Sequence, residues 1–356
     1  MDEGKVDPQI TQITQKINER SSNLGFLTAR FSQYLKLNRW ELIMRILVVG
    51  AGAVGGYFGA RLLEAGRNVT FLVRPNRAAV LAASGLRISS PHGDVNIPKP
   101  STVLAASLAE TYDLILLSCK AYDLDDAIDS FALAVGTETV ILPLLNGLSH
   151  LDTLKKRFGT NHVLGGLCVI SASIEPDGRI THLNEVHNLA FGELDGSRSD
   201  RAETIASLLS AARFESRLSN NILQEMWEKW VFIATGAGIT CLMRATVGDV
   251  VAAGAADLVT KILDECASIV SSQGYPPSEQ ALQRSRTVFT MPGSLLAASM
   301  FRDIERGSPI EVEHVIGDLL RRGDPTTSPV LDIVYKHLKA YEARRIRELV
   351  TARAPK

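Results

Sequence analysis

Apolar and polar residues follow two rhythms along this chain, and the change of rhythm divides it. From Met44 to about residue 219, short runs rich in Val, Ile and Leu are separated by segments with helical spacing. A run such as Ile46-Leu47-Val48-Val49, apolar at every position, suits a strand buried on both faces. Strands are predicted at 45–50, 68–74, 86–90, 113–118 and 139–145, with helices over Val54–Ala65, Asn76–Ala83 and Asp123–Ala134. Gly66 stands where a helix C-terminus places its left-handed residue. Alternation of this kind predicts βαβ units and a doubly wound parallel sheet. After Gly159, Val163–Ile170, Arg179–Leu183 and Asn188–Phe191 read as further strands, with turns at Pro176-Asp177-Gly178 and Asp195-Gly196. The sheet is therefore expected to continue to about residue 219. From Asn220 to Arg353 the spacing is helical, with breaks at Gly274-Tyr275-Pro276-Pro277, Met291-Pro292-Gly293, Gly307-Ser308-Pro309 and Gly323-Asp324-Pro325.

Size and charge agree with this division. The chain has 356 residues, whereas single cores stop growing at roughly 250–300. The expected units are 44–219, an α/β domain, and 220–353, a separate all-α domain. With 38 basic against 39 acidic side chains, no single-sign field draws the chain to nucleic acid or to an anionic membrane. The uncharged run Trp230–Met243 falls short of the roughly 18 residues that a membrane helix needs. Cys119, Cys168, Cys241 and Cys266 lie far apart without a C-x-x-C pair, which suggests neither a metal knuckle nor a disulfide framework but thiols in a reducing cytoplasm. Residues 1–43 carry mixed charge and lack the features of a secretory signal. They read as an extension of unknown role, with Met44, directly before the first strand, as the expected functional start.

Candidate chemistry begins at the first strand's end. Gly50-Ala51-Gly52-Ala53-Val54-Gly55 follows an apolar strand and opens a helix, the context in which backbone N–H groups and the helix dipole hold a pyrophosphate. The α/β unit is thus expected to be a Rossmann-type dinucleotide-binding domain. About twenty residues on, where an NAD site ends its second strand in an acidic residue, this chain has Leu72-Val73-Arg74. A cation there suits the 2′-phosphate of NADP(H), with Arg77 as a second contact. Ligands of open α/β sheets sit beyond the carboxyl ends of the strands, where Lys120 and Asn146-Gly147 stand.

In the helical half, Lys229 lies in Trp227-Glu228-Lys229-Trp230 at the head of the uncharged run, where desolvation lowers a lysine toward the range of a general acid. Taken alone, this pattern equally describes a lysine reaching out from a core helix. Further on, Ser308-Pro309-Ile310-Glu311 fits a capping box, which would make Glu311 a helix cap rather than a catalytic side chain.

Together these residues resemble the ketopantoate reductases (2-dehydropantoate 2-reductases), over roughly Met44 to Tyr341. The matching pieces are the glycine loop, Arg74, Lys120, Asn146-Gly147, Trp227-x-Lys229, Ser299-Met300-x-x-Asp303, Glu311-Val312-Glu313 and Gly317. The resemblance implies NADPH-dependent reduction of 2-dehydropantoate to pantoate, a step of pantothenate and coenzyme A synthesis. It implies that Lys229 donates a proton to the ketone oxygen, that Glu311 completes the catalytic site and that Ser299 binds substrate. Lys120 and Asn146 are expected beside the nicotinamide and ribose, with Asn146 close to substrate as well. The expected cofactor is NADP(H), the partner a small 2-keto acid, and the assembly leaves room for a homodimer. No metal is expected.

One departure falls in the substrate pocket. The family usually has asparagines four and eight residues after the lysine, and here those positions are Ile233 and Ala237. An apolar lining cannot select for a hydroxyl as hydrogen-bonding groups do, so a more apolar 2-keto acid is an alternative substrate. Two further alternatives are a different dehydrogenase of the same two-domain plan and a non-catalytic NADP-binding sensor.

Overall fold

The structure is a computed structural model that describes residues 44–353; the reading of residues 1–43 lies outside the described residues. Its strands are β1 (Arg45–Val49), β2 (Asn68–Leu72), β3 (Leu86–Ser89), β4 (Val95–Ile97), β5 (Thr102–Val103), β6 (Tyr112–Leu117), β7 (Val135–Pro143), β8 (Gly165–Ile174), β9 (Ile180–Gly192) and β10 (Glu215–Leu218). The helices of the first half are α1 (Ala53–Glu64), α2 (Pro75–Ser84), α3 (Leu124–Phe131), α4 (Ser149–Phe158) and α5 (Asp200–Ser210). Those of the second are α6 (Ile222–Met243), α7 (Val247–Ala252), α8 (Ala256–Ser272), α9 (Glu279–Phe289), α10 (Ser299–Glu305), α11 (Asp318–Arg322) and α12 (Pro329–Arg353).

A parallel sheet in the order β5-β2-β1-β6-β7 forms the first layer. Its apolar runs are two-sided, as a sheet covered on both faces requires. Ile46 and Val48 of β1 join one buried cluster with Tyr57 and Phe58 of α1. Leu47 and Val49 join the other, with Ile128 and Phe131 of α3 and Leu151 and Leu154 of α4. The fold is α/β with a Rossmann-like parallel sheet first and a mostly helical part after it, and α1 ends as expected, with Gly66 at φ +73°.

Three predicted features of the sheet are corrected. The strand expected at 86–90 forms as β3, but it leaves the parallel sheet and pairs antiparallel with β4 and parallel with β9. The pattern explains this, because Leu86 and Ile88 are buried while Arg87 and Ser89 are only partly covered, the signature of a one-sided strand. The edge of the parallel sheet is taken instead by β5, two residues too short to show a periodicity. Likewise the segment after Gly159 touches the first sheet at Val163, by an isolated parallel bridge to Ile141 of β7, and then leaves it. It builds a second one, in which β8 and β9 form a long antiparallel pair and β10 runs parallel to β9. The separate strands expected at 179–183 and 188–191 are one, since 183–186 bulge outward, exposed, at a register shift between Ile170 and Ala172. Helix α1 lies between the sheets, sharing one buried cluster with Val48 and Phe71 of the first and Ile180 and Phe191 of the second.

From Ile222 onward the elements are helical, and all four predicted breaks fall between helices. Helix α6 is apolar nearly all round because it is buried nearly all round: Trp230, Val231, Ala234, Ile239 and Cys241 are at most 2 % exposed. Its two buried threonines satisfy their hydroxyls on the carbonyls one turn back, Thr235 on Val231 at 2.8 Å and Thr240 on Gly236 at 2.6 Å. The first half's Leu145, Leu148 and Leu167 share one core with Met226, Trp227 and Trp230. The halves are therefore joined by continuous apolar packing that fixes the cleft between them. Among the described residues no helix is long and apolar enough to cross a membrane.

Candidate active site

The glycine loop sits at the carboxyl end of β1, in the centre of the parallel sheet. At Gly55 a side chain would run into the Ser118 hydroxyl and the Gly50 carbonyl, so the loop and the strand end pack with no room for a Cβ. Gly52 caps α1 without a side-chain bond, no acidic residue lies in the first turn, and a Cβ there would meet nothing within 4 Å. The first amides of α1 and its positive dipole end thus face open space beside Ala53 and Val54, which fits a pyrophosphate.

Arg74 ends the second strand as read from the sequence, and its side chain is 65 % exposed. It pairs with Asp123 at 2.8 Å and stands 3.8 Å from Asp126; the bond to Asp123 and its charge hold the guanidinium's pKa above the usual arginine value. Arg77 takes a different place. It donates to the carbonyls of Ala51 (2.9 Å) and Gly178 (3.0 Å), bracing the glycine loop against the turn before β9, and one terminal nitrogen is buried without a partner.

Lys120 follows β6 and reaches across the cleft. Its Nζ lies 3.1 Å from Glu311 and 3.2 Å from Asp303, while the Ala121 N–H donates to the other Glu311 oxygen at 3.0 Å. Burial opposes the charge on Lys120, but the two carboxylates outweigh it and raise its pKa. Glu311 therefore ties the first half to the second through a charged and a backbone donor. The capping-box reading of Glu311 does not hold: its carboxylate serves Lys120 and Ala121, and the turn that follows is a π-helical one over Glu313–Gly317.

Asn146-Gly147 closes β7's loop against that π turn. Gly147 has φ +75°, and a Cβ there would lie 2.8 Å from the His314 carbonyl, so only glycine combines this conformation with this approach. Trp230 secures the same turn by donating to the Val315 carbonyl at 2.9 Å.

Lys229 projects from α6 into a small cleft lined by Asn146, Gly147, Gly166, Leu167, Met226 and Ile233. Among the described residues no hydrogen bond or ion pair holds its ammonium. Burial lowers its pKa below the ordinary lysine value; Cys168 and Glu311 act in the opposite sense but more weakly. His150 nearby is fully buried with both ring nitrogens unpartnered. Burial first, then the charges of His314 and Lys229, push its pKa down to about 3, so it is neutral beside Lys229.

A larger cleft adjoins this one and shares Asn146 and Ile233 with it. Ser299, at the first turn of α10, and Glu311 line it, as does Ala237. Lys229, Ile233 and Ala237 recur every four residues and so fall on one face of α6. The structure thus brings together Asn146, Lys229, Ser299 and Glu311 with Lys120 beside them, and sets Arg74 apart at the sheet's rim. The sequence reading missed most of the wall of the larger cleft: Phe232, Phe289, Leu296 and Val315. Phe232 was within reach of a helical-face argument on α6, whereas Phe289, 4.6 Å from it between ring centroids, comes from another helix.

A glycine-loop sheet facing a helical half, with an unpaired lysine and a carboxylate in the cleft between them, is the plan of an oxidoreductase. Residues 46–196 match the family model of ketopantoate reductase PanE/ApbA, and residues 221–342 match its C-terminal model. The chain belongs to the ketopantoate reductase family. Its relatives include a Bacillus subtilis protein named uncharacterized oxidoreductase YkpB, 35 % identical over 85 % of this chain and 100 % of that one. A 2-dehydropantoate 2-reductase of Archaeoglobus fulgidus is 29 % identical over 79 % of this chain and 92 % of its own length. Among solved structures, the 2-dehydropantoate 2-reductase of Methylococcus capsulatus superimposes with a TM-score of 0.75 at 28 % identity, covering 85 % of this chain and 98 % of that one.

Proposed function

We propose that this protein reduces a 2-keto acid to the 2-hydroxy acid at the expense of NADPH. The observation that carries the reading is Lys229, an unpaired and partly desolvated ammonium in the cleft that Asn146 and Ile233 share with Ser299 and Glu311. In this reading 44–219 is the dinucleotide-binding domain and 220–353 the substrate domain. The amides of Gly52, Ala53 and Val54 hold the pyrophosphate, and Arg74 turns from Asp123 to the 2′-phosphate, as a carboxylate at that place could not. When bound, the dinucleotide supplies the hydride to the carbonyl carbon. As that carbon gains the hydride, the carbonyl oxygen becomes an alkoxide and takes a proton from Lys229 Nζ; the amine regains its proton from solvent. A lysine with a lowered pKa gives up its proton more readily than an ordinary one, which suits the role. Ser299 and Asn146 offer hydrogen bonds to the substrate's oxygens, and Glu311 keeps Lys120 and the cleft's two sides in register.

Family membership supports 2-dehydropantoate as the substrate. The apolar wall of Phe232, Ile233, Ala237, Phe289, Leu296 and Met300 favours a second reading, a 2-keto acid with a larger apolar substituent, because such a wall returns no hydrogen bond to a hydroxyl. Both are tested by following NADPH oxidation with 2-dehydropantoate and with branched and aromatic 2-keto acids. A higher kcat/KM for 2-dehydropantoate supports the first, and a higher value for an aromatic acid the second. NADPH binding without turnover of any 2-keto acid overturns the reductase reading.

A further inference from the structure

The second sheet carries a cluster that the reaction does not use. His92 stands in the turn between β3 and β4, His182 and His187 on β9, and one ring nitrogen of each lies within 4.8 Å of the others. His187 follows His182 by five positions, which would put them on opposite faces of a regular strand. The outward bulge of 183–186 cancels that, so both histidines are buried on the side of α1. Each ring is also held by its other nitrogen: His92 Nε2 on the Glu185 carbonyl (2.7 Å), His182 Nε2 on the Val186 carbonyl (3.1 Å), and His187 Nδ1 on the Tyr57 hydroxyl (2.7 Å). With those nitrogens protonated, the lone pairs fall on His92 Nδ1, His182 Nδ1 and His187 Nε2. A carbonyl behind His92 and His182, and behind His187 the Tyr57 hydroxyl, which can accept as well as donate, are the outer support that metal-ligating histidines use to fix tautomer and orientation.

We propose that His92, His182 and His187 form a three-imidazole site for a divalent transition-metal ion of the zinc class, with a remaining position open to water. Three neutral nitrogen donors without a carboxylate suit zinc, nickel or copper and not magnesium or calcium. Burial, the largest influence on both His182 and His187, holds their pKa below the usual histidine value, that of His187 at about 4. The nearest cation, Arg61, is paired with Glu64 at 2.7 Å and donates to the Gly93 carbonyl at 2.7 Å, pinning the turn that bears His92. A tetrahedral zinc ion places its nitrogens about 3.3 Å apart, in the planes of the rings that bear them, whereas the His92 and His187 rings are stacked with their centroids 3.7 Å apart. Capture therefore requires one ring to swing, and the exposed His92 is the one with room. At His182 Nδ1 the ion displaces only the Ser90 hydroxyl, 3.0 Å away. Because Tyr57 belongs to α1, the bound ion clips the 90–94 turn, β9 and the glycine-loop helix together.

The test uses the full chain, stripped with a chelator, titrated with zinc chloride by calorimetry and followed by thermal unfolding. The expected result is one zinc per chain and an unfolding midpoint raised by about 3 °C or more at saturation, with no response to magnesium. His92→Ala changes an exposed turn and is expected to fold normally and bind zinc at least about tenfold more weakly, as loss of one of three ligands requires. His187→Gln, close in size, is expected to abolish saturable binding. Cys119→Ser, which removes the one partly exposed thiol, is expected to leave binding unchanged. Absence of saturable zinc binding to the wild type, affinity unchanged in both histidine variants, or loss of binding in Cys119→Ser alone overturns the proposal.

Discussion

Two lysines face the same cleft and live under opposite conditions. Around Lys120, two carboxylates and a neighbouring amide converge, so the charge is held and the pKa rises. Around Lys229 lie Leu167, Met226 and Trp230, no described residue pairs with the ammonium, and burial lowers the pKa. The difference teaches that one residue type serves as a fixed clamp or as a proton source according to what surrounds it. Lys120 joins the two halves through Glu311 and Asp303, while Lys229 is placed to lose its proton.

The largest effect is expected where that contrast is removed at its labile end. Lys229→Ala should lower kcat by about 10²–10⁴-fold, the usual contribution of a general acid, with NADPH affinity by fluorescence titration unchanged. The wild-type kcat should also fall as pH rises through the lowered pKa of Lys229, since only the protonated form donates; a flat profile up to the ordinary lysine range would remove the assignment. Next comes the clamp. Glu311→Gln keeps size and removes one charge from Lys120, and a hydrogen bond to a charged group is worth about 1.5–3 kcal/mol. A fall of about 10–150-fold in kcat/KM is expected, with strong non-additivity against Lys120→Met in a double-mutant cycle; additive losses would show that the contact does not couple the halves. A smaller change is expected at the rim, where Arg74→Ser should reduce the preference for NADPH over NADH by about tenfold, equivalent to ~1.4 kcal/mol. Equal use of both dinucleotides by the wild type would contradict the role of Arg74.

An effect of similar size, on stability, concerns the neutral histidine beside Lys229. His150 has its folded pKa pushed down to about 3, against about 6.5 in an unfolded chain. The unfolded state therefore binds the proton first as pH falls, so the stabilisation is complete above about 6.5 and is lost progressively toward 3. Between pH 6.5 and 5 this one group is expected to remove about 1–2 kcal/mol. The unfolding midpoint should drop over that interval, and His150→Phe should flatten the drop; an unchanged slope in the variant would assign it to other groups.

Much of the fold was legible because a backbone conformation imprints its own period. The all-apolar runs marked the strands of the parallel sheet, and glycine and proline marked four of the breaks in the helical half, whereas the one at Arg244-Ala245-Thr246 carries neither and turns on Arg244 at φ +54°. β3 was located correctly but placed in the wrong sheet, since a four-residue strand announces that it is extended and not which edge it joins. The two strands read into β9 merged because the polar Asn184-Glu185 interrupts the pattern, while β8 still holds the flanking residues on either side. At the site, Lys229, Ile233 and Ala237 could be put on one face by counting along a helix. The aromatic wall could not, because Phe289 and Leu296 arrive from elements whose packing on α6 no local pattern records.

The sequence by itself determined what each segment is: the strand that carries the glycine loop, the Arg74 that follows the second strand, and the helix face that bears Lys229. Tertiary structure alone decided what each charge is worth. Lys120 meets Asp303 and Glu311 across separations of 183 and 191 residues, and Lys229 meets neither a carboxylate nor water in full. Backbone preference is set by near neighbours in the chain, whereas desolvation and Coulomb attraction depend on distances through space. Those distances exist only once the chain has closed on itself.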